Sequence, residues 1–451
     1  MKVVVIGDGK VGKTLIEHIS KEGHVVVVID KKPEVIEELV NKHDVMGICG
    51  NGASYLIQKN AGVTNADLVI AATSSDETNL LACFIAKKLG AKSTIARVRG
   101  YEYNNQTKIM MRDFGMSMII NPEKETADEI KKILDFPELI RIDSFAKGAV
   151  DLVELYVPEK SSLVGQSLIT LGQKYPFKVL ICAVQRNDEV IIPTGSFTFQ
   201  AKDKIHLTGT RKDIQTFLDK LQFSEEKIKN VLIIGGGKIS TYLGKELLNN
   251  KYNVKIIEKE YKKCLELSEV LPGASIICGD GTDQTMLEDE GLSGYDAVIC
   301  LTGTDEENII ISMYANKQNI KKIVTKVNKT SFVELMESIS TATVLSPKDI
   351  ISSKIISYVR AKNNSRGSNV VTLYKLVNNK VEAVEFNAKP KSRILNTPLR
   401  YLKLKPNMLI AGILRDGGVI IPSGNDTILE NDNVIVVTTN QFLSDLDSIL
   451  E

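Results

Sequence analysis

Val3, Val4, Val5 and Ile6 form an unbroken apolar run, closed by a cluster of glycines and followed by Val11, Leu15, Ile16 and Ile19. An apolar run without alternation suits a strand covered on both faces, as in a parallel sheet. Apolar residues three or four apart suit one face of a helix, here Lys10–Lys21. The same rhythm continues. VVVVID predicts a second strand ending at Asp30, and Pro33–Val40 a helix with proline in its first turn. Further strands are expected at Asp44–Cys49, Leu68–Thr73 and Thr94–Arg97, with helices between them. A strand–helix series of this kind predicts a doubly wound parallel sheet of the Rossmann type. Beyond it the pattern shortens into Leu152–Val157, Lys178–Gln185, Glu189–Ile192 and Lys204–Leu207, the mark of a small α+β domain. QRNDEV and LRDGGV read as hairpin turns, the second through Gly417–Gly418.

The chain then repeats itself. VVVIGDGKVG near the start matches VLIIGGGKIS from Val231, so that Gly7 pairs with Gly235. ICGNG (Ile48–Gly52) matches ICGDG (Ile277–Gly281), and DLVIAATSSDETN from Asp67 matches DAVICLTGTDEEN from Asp296. LICAVQRNDEVIIPTG from Leu180 matches LIAGILRDGGVIIPSG from Leu409. The last three matches share one offset, a single position longer than that of the first. A register held over half the chain is a duplication. Four domains are expected: Rossmann-type units over 1–120 and 229–345, and small α+β units over 138–222 and 369–451. The polar helical segments from Asn121 and Ser346 connect the two kinds of unit. QFSEEKIKN (Gln222–Asn230) links the halves, and NNSRGSN (Asn363–Asn369) reads as a polar loop.

A chain of 451 residues has room for several domains, and 43% hydrophobic with 25% charged residues is normal for globular cores. The net charge of +1, without a basic block or a helix-turn-helix pattern, argues against a nucleic-acid partner or a transcription regulator. No apolar run approaches the ~20 residues of a spanning helix, and the first strand begins without a signal peptide. None of the six cysteines falls in a CxxC pair, so no metal site is expected; they read as small buried hydrophobes in a reducing cytosol.

The chemistry concentrates in the glycine turns. Gly7-Asp8-Gly9-Lys10-Val11-Gly12 is a full G-x-G-x-x-G between a strand and a helix, the context that this motif requires. The first glycine permits the tight turn, the second lets a pyrophosphate approach the backbone, and the third lets helix and strand pack closely. The helix start then offers free N–H groups and the positive end of its dipole. Asp30 closes the second strand, where an acid accepts hydrogen bonds from the adenosine ribose, which favours NAD over NADP. The second half repeats the arrangement with Gly235-Gly236-Gly237-Lys238-Ile239-Ser240 and Glu258, a small serine replacing the third glycine. Other strand ends open on the same crevice: Asn51 and Asp280, Thr73-Ser74 and Thr302-Gly303, and the cations Arg97 and Lys326, placed to meet a phosphate.

In this order, VVVIGDGKVG, VID, ICGNGAS, IAATSSDETN and ARVRGYEY resemble the TrkA-N, or RCK, domain, as does the second copy. LVGQSL…LICAVQRNDEVIIPTG and ILNTPL…LIAGILRDGGVIIPSG resemble the matching TrkA-C domain. The resemblance covers essentially the whole chain. It implies a non-catalytic regulatory subunit, cytoplasmic and peripheral on the inner face of the membrane. Such a subunit gates an integral potassium-translocating protein of the Trk type from a homo-oligomeric ring, expected here to be a tetramer. It implies NAD(H) as a regulatory ligand, with ATP, ADP or AMP as alternatives at the same sites. Asn51 departs from the aspartate that the family often carries there, seen here as Asp280. The rival readings are an NAD-dependent oxidoreductase and a regulator of a different potassium transporter. The first would need an acid or base beside the nicotinamide, for which the four histidines have no evident setting.

Overall fold

The computed structural model describes residues 1–451 except 8, 101–102, 104–105, 138, 146–148, 160, 176, 188, 222, 224–226, 330, 334–335, 337–341, 365–369, 377–380, 440–442 and 444. It divides into two compact units. One comprises Met1–Leu134 with Ile228–Ile356, the other Asp135–Lys227 with Ser357–Glu451.

The first unit contains two parallel six-stranded sheets. In the first, strands β1 (Lys2–Ile6), β2 (Val25–Asp30), β3 (Met46–Cys49), β4 (Leu68–Ala71), β5 (Ser93–Arg97) and β6 (Met118–Ile120) lie in the order β3-β2-β1-β4-β5-β6. This order reverses direction between β1 and β4 and opens a crevice at the strands' carboxyl ends. Helices α1 (Lys10–Lys21), α2 (Pro33–Lys42), α3 (Tyr55–Asn60), α4 (Asp76–Leu89) and α5 (Thr107–Asp113) connect the strands. Val3, Val4 and Val5 are completely buried, as are Val28 and Ile29, so the unalternating runs are covered on both faces. Each such side chain contributes roughly 1.5–3 kcal/mol. The short sixth strand lacks an apolar pattern long enough to announce itself.

The second sheet repeats the first. Strands β12 (Asn230–Ile234), β13 (Asn253–Glu258), β14 (Ser275–Cys278), β15 (Ala297–Cys300), β16 (Lys322–Lys326) and β17 (Thr343–Leu345) take the order β14-β13-β12-β15-β16-β17. The helix α6 (Pro122–Asp135), which follows the first sheet, packs Ala127, Ile130 and Ile133 into the core of the second sheet, beside Leu243 and Leu247. Asn121 at its start donates from Nδ2 to the Tyr242 hydroxyl at 3.0 Å.

The second unit contains two antiparallel five-stranded sheets. Strands β7 (Leu139–Phe145), β8 (Val150–Tyr156), β9 (Val179–Arg186), β10 (Glu189–Ile191) and β11 (Lys204–Gly209) lie in the order β10-β9-β11-β8-β7. Helices α7 (Leu168–Lys174) and α8 (Arg211–Lys220) add Leu171 and Phe217 to the core of this sheet. Strands β18 (Val370–Leu376), β19 (Val381–Asn387), β20 (Met408–Arg415), β21 (Gly418–Ile420) and β22 (Asn433–Thr438) give β18-β19-β22-β20-β21. The strands β7 and β18 go beyond the segments expected from sequence. Val150, Leu152 and Cys182 of one sheet share a core with Val381, Ala383 and Ala411 of the other, and Thr208 Oγ1 donates to the Ala411 carbonyl at 2.9 Å.

Each small sheet is pinned by the same pair, a part-exposed arginine on a buried aspartate. Arg186 clasps Asp203 with Nε and Nη2, both at 2.7 Å, and Arg415 clasps Asp432 at 3.0 and 2.8 Å. The aspartates are 1% and 2% exposed, so removing either arginine strands a buried carboxylate. The second hairpin turns through Asp416 and Gly417, at φ 50° and 80°, rather than through Gly417–Gly418; Gly418 pairs with Arg415. Two positive φ values match the right-handed twist of the flanking strands. Most of the NNSRGSN loop (365–369) and positions 222 and 224–226 of the linker lie outside the described residues.

Candidate functional site

The two glycine turns lie where β1 and β12 run into α1 and into α9 (Lys238–Asn249). Gly7 stands at φ 95°, and a Cβ there would lie 2.9 Å from the Thr73 backbone. Gly235 matches it at φ 103°, with a Cβ 2.7 Å from the Leu301 carbonyl oxygen. Both positions demand glycine for conformation and for space. A Cβ on Gly12 would come within 2.2 Å of the Gly7 carbonyl oxygen. In the second half Ser240 occupies that position, and its hydroxyl donates to the Gly235 carbonyl, so this turn is opened enough to admit a side chain.

The middle glycines differ in kind. The nearest atom to a Cβ on Gly9 would be the Ala72 carbonyl oxygen at 3.5 Å, and a Cβ on Gly237 would meet nothing within 4 Å. Among the described residues nothing requires glycine at either place. Both residues cap helices whose first-turn N–H groups receive no side-chain cap from them. Space and free donors thus coincide at the carboxyl ends of the strands, the arrangement that receives a phosphate. Val11 is 7% exposed and Ile239 packs against the core of the second sheet, so both side chains anchor their helices. Lys238 is exposed. Asp8 and the side chain of Lys10 lie outside the described residues.

Asp30 and Glu258 end β2 and β13 and are half-buried. Asp30 Oδ1 accepts from the Lys32 N–H at 3.0 Å. Glu258 Oε1 accepts from Glu260 N–H at 2.8 Å, while Oε2 reaches Gly236 N–H at 2.6 Å and ties the acid to the turn. Asn51 and Asp280 follow β3 and β14, and each folds onto its own loop: Asn51 Oδ1 takes the Ala53 N–H at 3.1 Å, and Asp280 Oδ1 takes the Thr282 N–H at 3.0 Å. The Lys259 ammonium, 2.6 Å from Asp280 Oδ2, and the Thr282 hydroxyl hold the Asp280 carboxyl down at about 2. Glycines flank both residues because a Cβ on Gly52 or Gly281 would strike Ile6 or Ile234, at 2.0 and 2.3 Å.

Thr73 and Thr302 follow β4 and β15, with Ser74 exposed beside Thr73. Arg97 Nη1 donates to the Thr73 carbonyl at 3.2 Å, and Lys326 Nζ donates to the matching Thr302 carbonyl. Burial lowers the Arg97 pKa, and the Arg99 charge adds to that, against the pull of Glu123 and Asp76. Its Nε is buried and has no hydrogen-bond partner among the described residues.

The residue that organises this corner is one that sequence reasoning passed over. Asn79, fully buried in α4, accepts on Oδ1 from Thr73 N–H (2.8 Å) and Thr73 Oγ1 (2.7 Å), and donates from Nδ2 to Thr73 O (3.1 Å) and Arg97 O (2.8 Å). It therefore locks the end of β4 to the end of β5. Asn308 repeats the role, accepting from Thr302 N–H at 2.8 Å and donating to the Lys326 carbonyl at 3.0 Å. The signal was available in the repeat, where this asparagine survives in both TSSDETN and TGTDEEN. The cysteine reading needs correction. Cys83, Cys182, Cys264 and Cys300 are buried, but Cys49 and Cys278, at the last positions of β3 and β14, are exposed.

The comparisons with known proteins bear on this geometry. The TrkA-N domain matches residues 3–122 and 231–347, and the TrkA-C domain residues 152–222 and 383–451. The chain is 28% identical over 456 residues to the Trk system potassium uptake protein TrkA of Vibrio alginolyticus, covering 100% of this chain and 99% of that one. It is 30% identical to TrkA homolog 1 of Methanosarcina mazei, covering 99% of each. Among solved structures, the RCK domain of GsuK aligns with TM-score 0.62 at 17% identity, over 98% of this chain and 92% of that one. The GsuK channel bound to NAD aligns with TM-score 0.64 at 17% identity, over 98% and 77%. Two glycine turns at the switch points of two parallel sheets, each sheet followed by a small antiparallel one, and family matches across both copies place this chain in the TrkA family.

Proposed function

We propose that the chain is a cytoplasmic regulatory subunit that binds NAD(H) or adenine nucleotides and gates a Trk-type potassium-translocating membrane protein. The observation that carries the reading is the pair of middle glycines, Gly9 and Gly237, which no atom of the described residues requires and which front helix starts without a side-chain cap. In this reading the domains span 1–120, 138–222, 229–345 and 369–451. The glycine turns take the pyrophosphate, and Asp30 and Glu258 the ribose hydroxyls. Arg97, Lys326, Thr73 and Thr302 line the far side of the crevice, and Asn51 and Asp280 its rim.

A regulatory rather than catalytic role is supported by where the imidazoles lie. His24 and His43 precede β2 and β3, at the amino ends of those strands, away from the crevice. His18 sits within α1, its Nδ1 2.9 Å from the Thr14 carbonyl, and His206 lies in β11 of a small sheet. Among the described residues no helix is long and apolar enough to cross a membrane, so contact with a bilayer would run through a partner. Relatives named Trk system potassium uptake proteins point to a Trk-type partner. Leu81, Ile310 and Met313 expose roughly half their surface on the α4 helix and its counterpart Asp305–Lys317, apolar area suited to contact between copies in a tetrameric ring.

Co-expression with the cognate potassium transporter tests the reading. The chain is expected to sediment with membranes only when the transporter is present and to bind NADH in calorimetry. A chain that stays in the supernatant in both cases, or that turns over bound cofactor with a 2-hydroxy acid, refutes it.

A further inference from the structure

Two thiols of the second half converge on neighbouring peptide groups. Cys278, the last residue of β14, lies in register with Glu258, the last residue of β13. Cys264 sits in helix α10 (Tyr261–Val270), which follows β13. Its Sγ is 3.3 Å from the Glu258 carbonyl oxygen, and Cys278 Sγ is 4.0 Å from the next carbonyl oxygen, that of Lys259. The side chains arrive from a helix and from an adjacent strand, so the fold, not chain proximity, brings them together. Cys278 is exposed, whereas Cys264 is 7% exposed. Burial pushes the Cys264 thiol up to about 11, with the Cys278 thiol and the Glu258 charge adding to it.

The first half lacks the pair. Cys49 ends β3 as Cys278 ends β14, with its Sγ 3.6 Å from the Lys31 carbonyl oxygen. The position in α2 that matches Cys264 of α10, however, holds Ile36. The remaining thiols Cys83, Cys182 and Cys300 are fully buried and pushed up to about 12. Reactivity requires a thiolate with access to its reagent, so Cys278 and Cys49 are the points of attack and only Cys278 has a second thiol beside it.

We propose that Cys264 and Cys278 form a modification site that a peroxide, or a low-molecular-weight disulfide, oxidises reversibly to an intrachain disulfide. With a peroxide, the Cys278 thiolate attacks one oxygen and the O–O bond breaks. The leaving oxygen departs with a proton, as water or alcohol, and Cys278 becomes a sulfenic acid. The Cys264 sulfur then attacks the Cys278 sulfur, the S–O bond breaks, and hydroxide leaves as water with the Cys264 proton. Two electrons pass from the two sulfurs to the peroxide. With a disulfide, the Cys278 thiolate displaces one thiolate to give a mixed disulfide, and the Cys264 sulfur then displaces the second thiolate; two molecules of a thiol such as glutathione reverse the bond by the same two exchanges. The disulfide staples α10 to the end of β14 around the Glu258–Lys259 strand end. The modification does not depend on the nucleotide reading; any effect on ligand binding does.

The test treats the full chain with hydrogen peroxide and, separately, with oxidised glutathione at mildly alkaline pH, then maps peptides without reduction. Most chains are expected to yield a linked Cys264–Cys278 peptide that dithiothreitol separates, while Cys49 carries only a sulfenic acid or a mixed disulfide. In Cys264→Ala, Cys278 is expected to accumulate the same adducts as Cys49. A wild-type chain whose Cys278 gathers adducts as Cys49 does, with no linked peptide, overturns the proposal. So does a linked peptide that joins Cys278 to Cys49.

Discussion

In the first parallel half, α1 starts hard against its turn, with Gly12 so close to the Gly7 carbonyl oxygen that a Cβ would lie 2.2 Å from it. In the second half, Ser240 fits the same position and bonds the same carbonyl. The first half presents a guanidinium to its Thr73 carbonyl, the second an ammonium to Thr302. At the rim, Asn51 is neutral where Asp280 is an acid paired with Lys259 at 2.6 Å. One fold has thus been kept twice while the crevice was retuned, and strand order is insensitive to changes that ligand binding must feel. In the proposed reading the first half would be the better NAD(H) site: Gly12 allows close packing, Asp30 would be the shorter ribose acid, and the Arg97 guanidinium could offer a phosphate two hydrogen bonds where Lys326 offers a point charge.

Exchanging the third residue of each turn should break the comparison most severely. Gly12→Ser forces a side chain against a backbone oxygen that cannot swing away, and overpacking of this kind costs about 1–3 kcal/mol. First-half NADH binding should disappear with it. Ser240→Gly loses one hydroxyl hydrogen bond, about 1 kcal/mol. Denaturant unfolding together with calorimetry reads both effects, and equal costs would show that the turns do not differ.

Asn79→Ala comes next. It takes from the part-buried Thr73 N–H and Arg97 carbonyl the partner that Asn79 supplies, at about 1–3 kcal/mol. Asn308→Ala should cost less, because its bond to the Thr302 carbonyl is already stretched to 3.5 Å. Thermal melts of the two variants would show the order, and a larger loss for Asn308→Ala would contradict it.

Asp30→Ala should weaken NADH binding by about tenfold or more, since hydrogen bonds to charged groups contribute about 1.5–3 kcal/mol and ~1.4 kcal/mol is tenfold. Glu258→Ala should weaken it less. Titrations with NADH, ATP and ADP would sharpen the ranking of the halves, and the opposite order would reverse it.

The smallest effect concerns the rim. Asp280 titrates at about 2, below the ordinary value of 3.8, so its contribution to stability is present above 3.8 and is lost as pH falls towards 2. For an exposed pair that contribution is below about 1 kcal/mol. Lys259→Ala should return the carboxyl towards its ordinary value in an NMR titration, and Asn51 in the first half has no counterpart to this behaviour.

Much of this was legible beforehand because it is local. Unalternating apolar runs are a property of adjacent residues, and they announced the parallel strands within a residue or two of their ends. The G-x-G-x-x-G turn, its acid and the threonines also sit at fixed distances along the chain, and the internal repeat showed that each was present twice. The sixth strand was missed because so short a segment carries too little pattern, and the hairpin register because Asp416, not Gly418, joins Gly417 at positive φ.

What the sequence by itself determined is the order of strands and helices, their duplication and the position of each glycine turn. Only the tertiary structure decided which distant groups meet. Asn79 bonds Arg97 because β4 and β5 are neighbours, Arg186 finds Asp203 across a small sheet, and Cys264 of α10 and Cys278 of β14 reach the neighbouring carbonyls of Glu258 and Lys259. Local periodicity follows from backbone geometry within a single element. Partners like these are chosen when separate elements are packed against one another to bury apolar area, and no spacing along the chain records that choice.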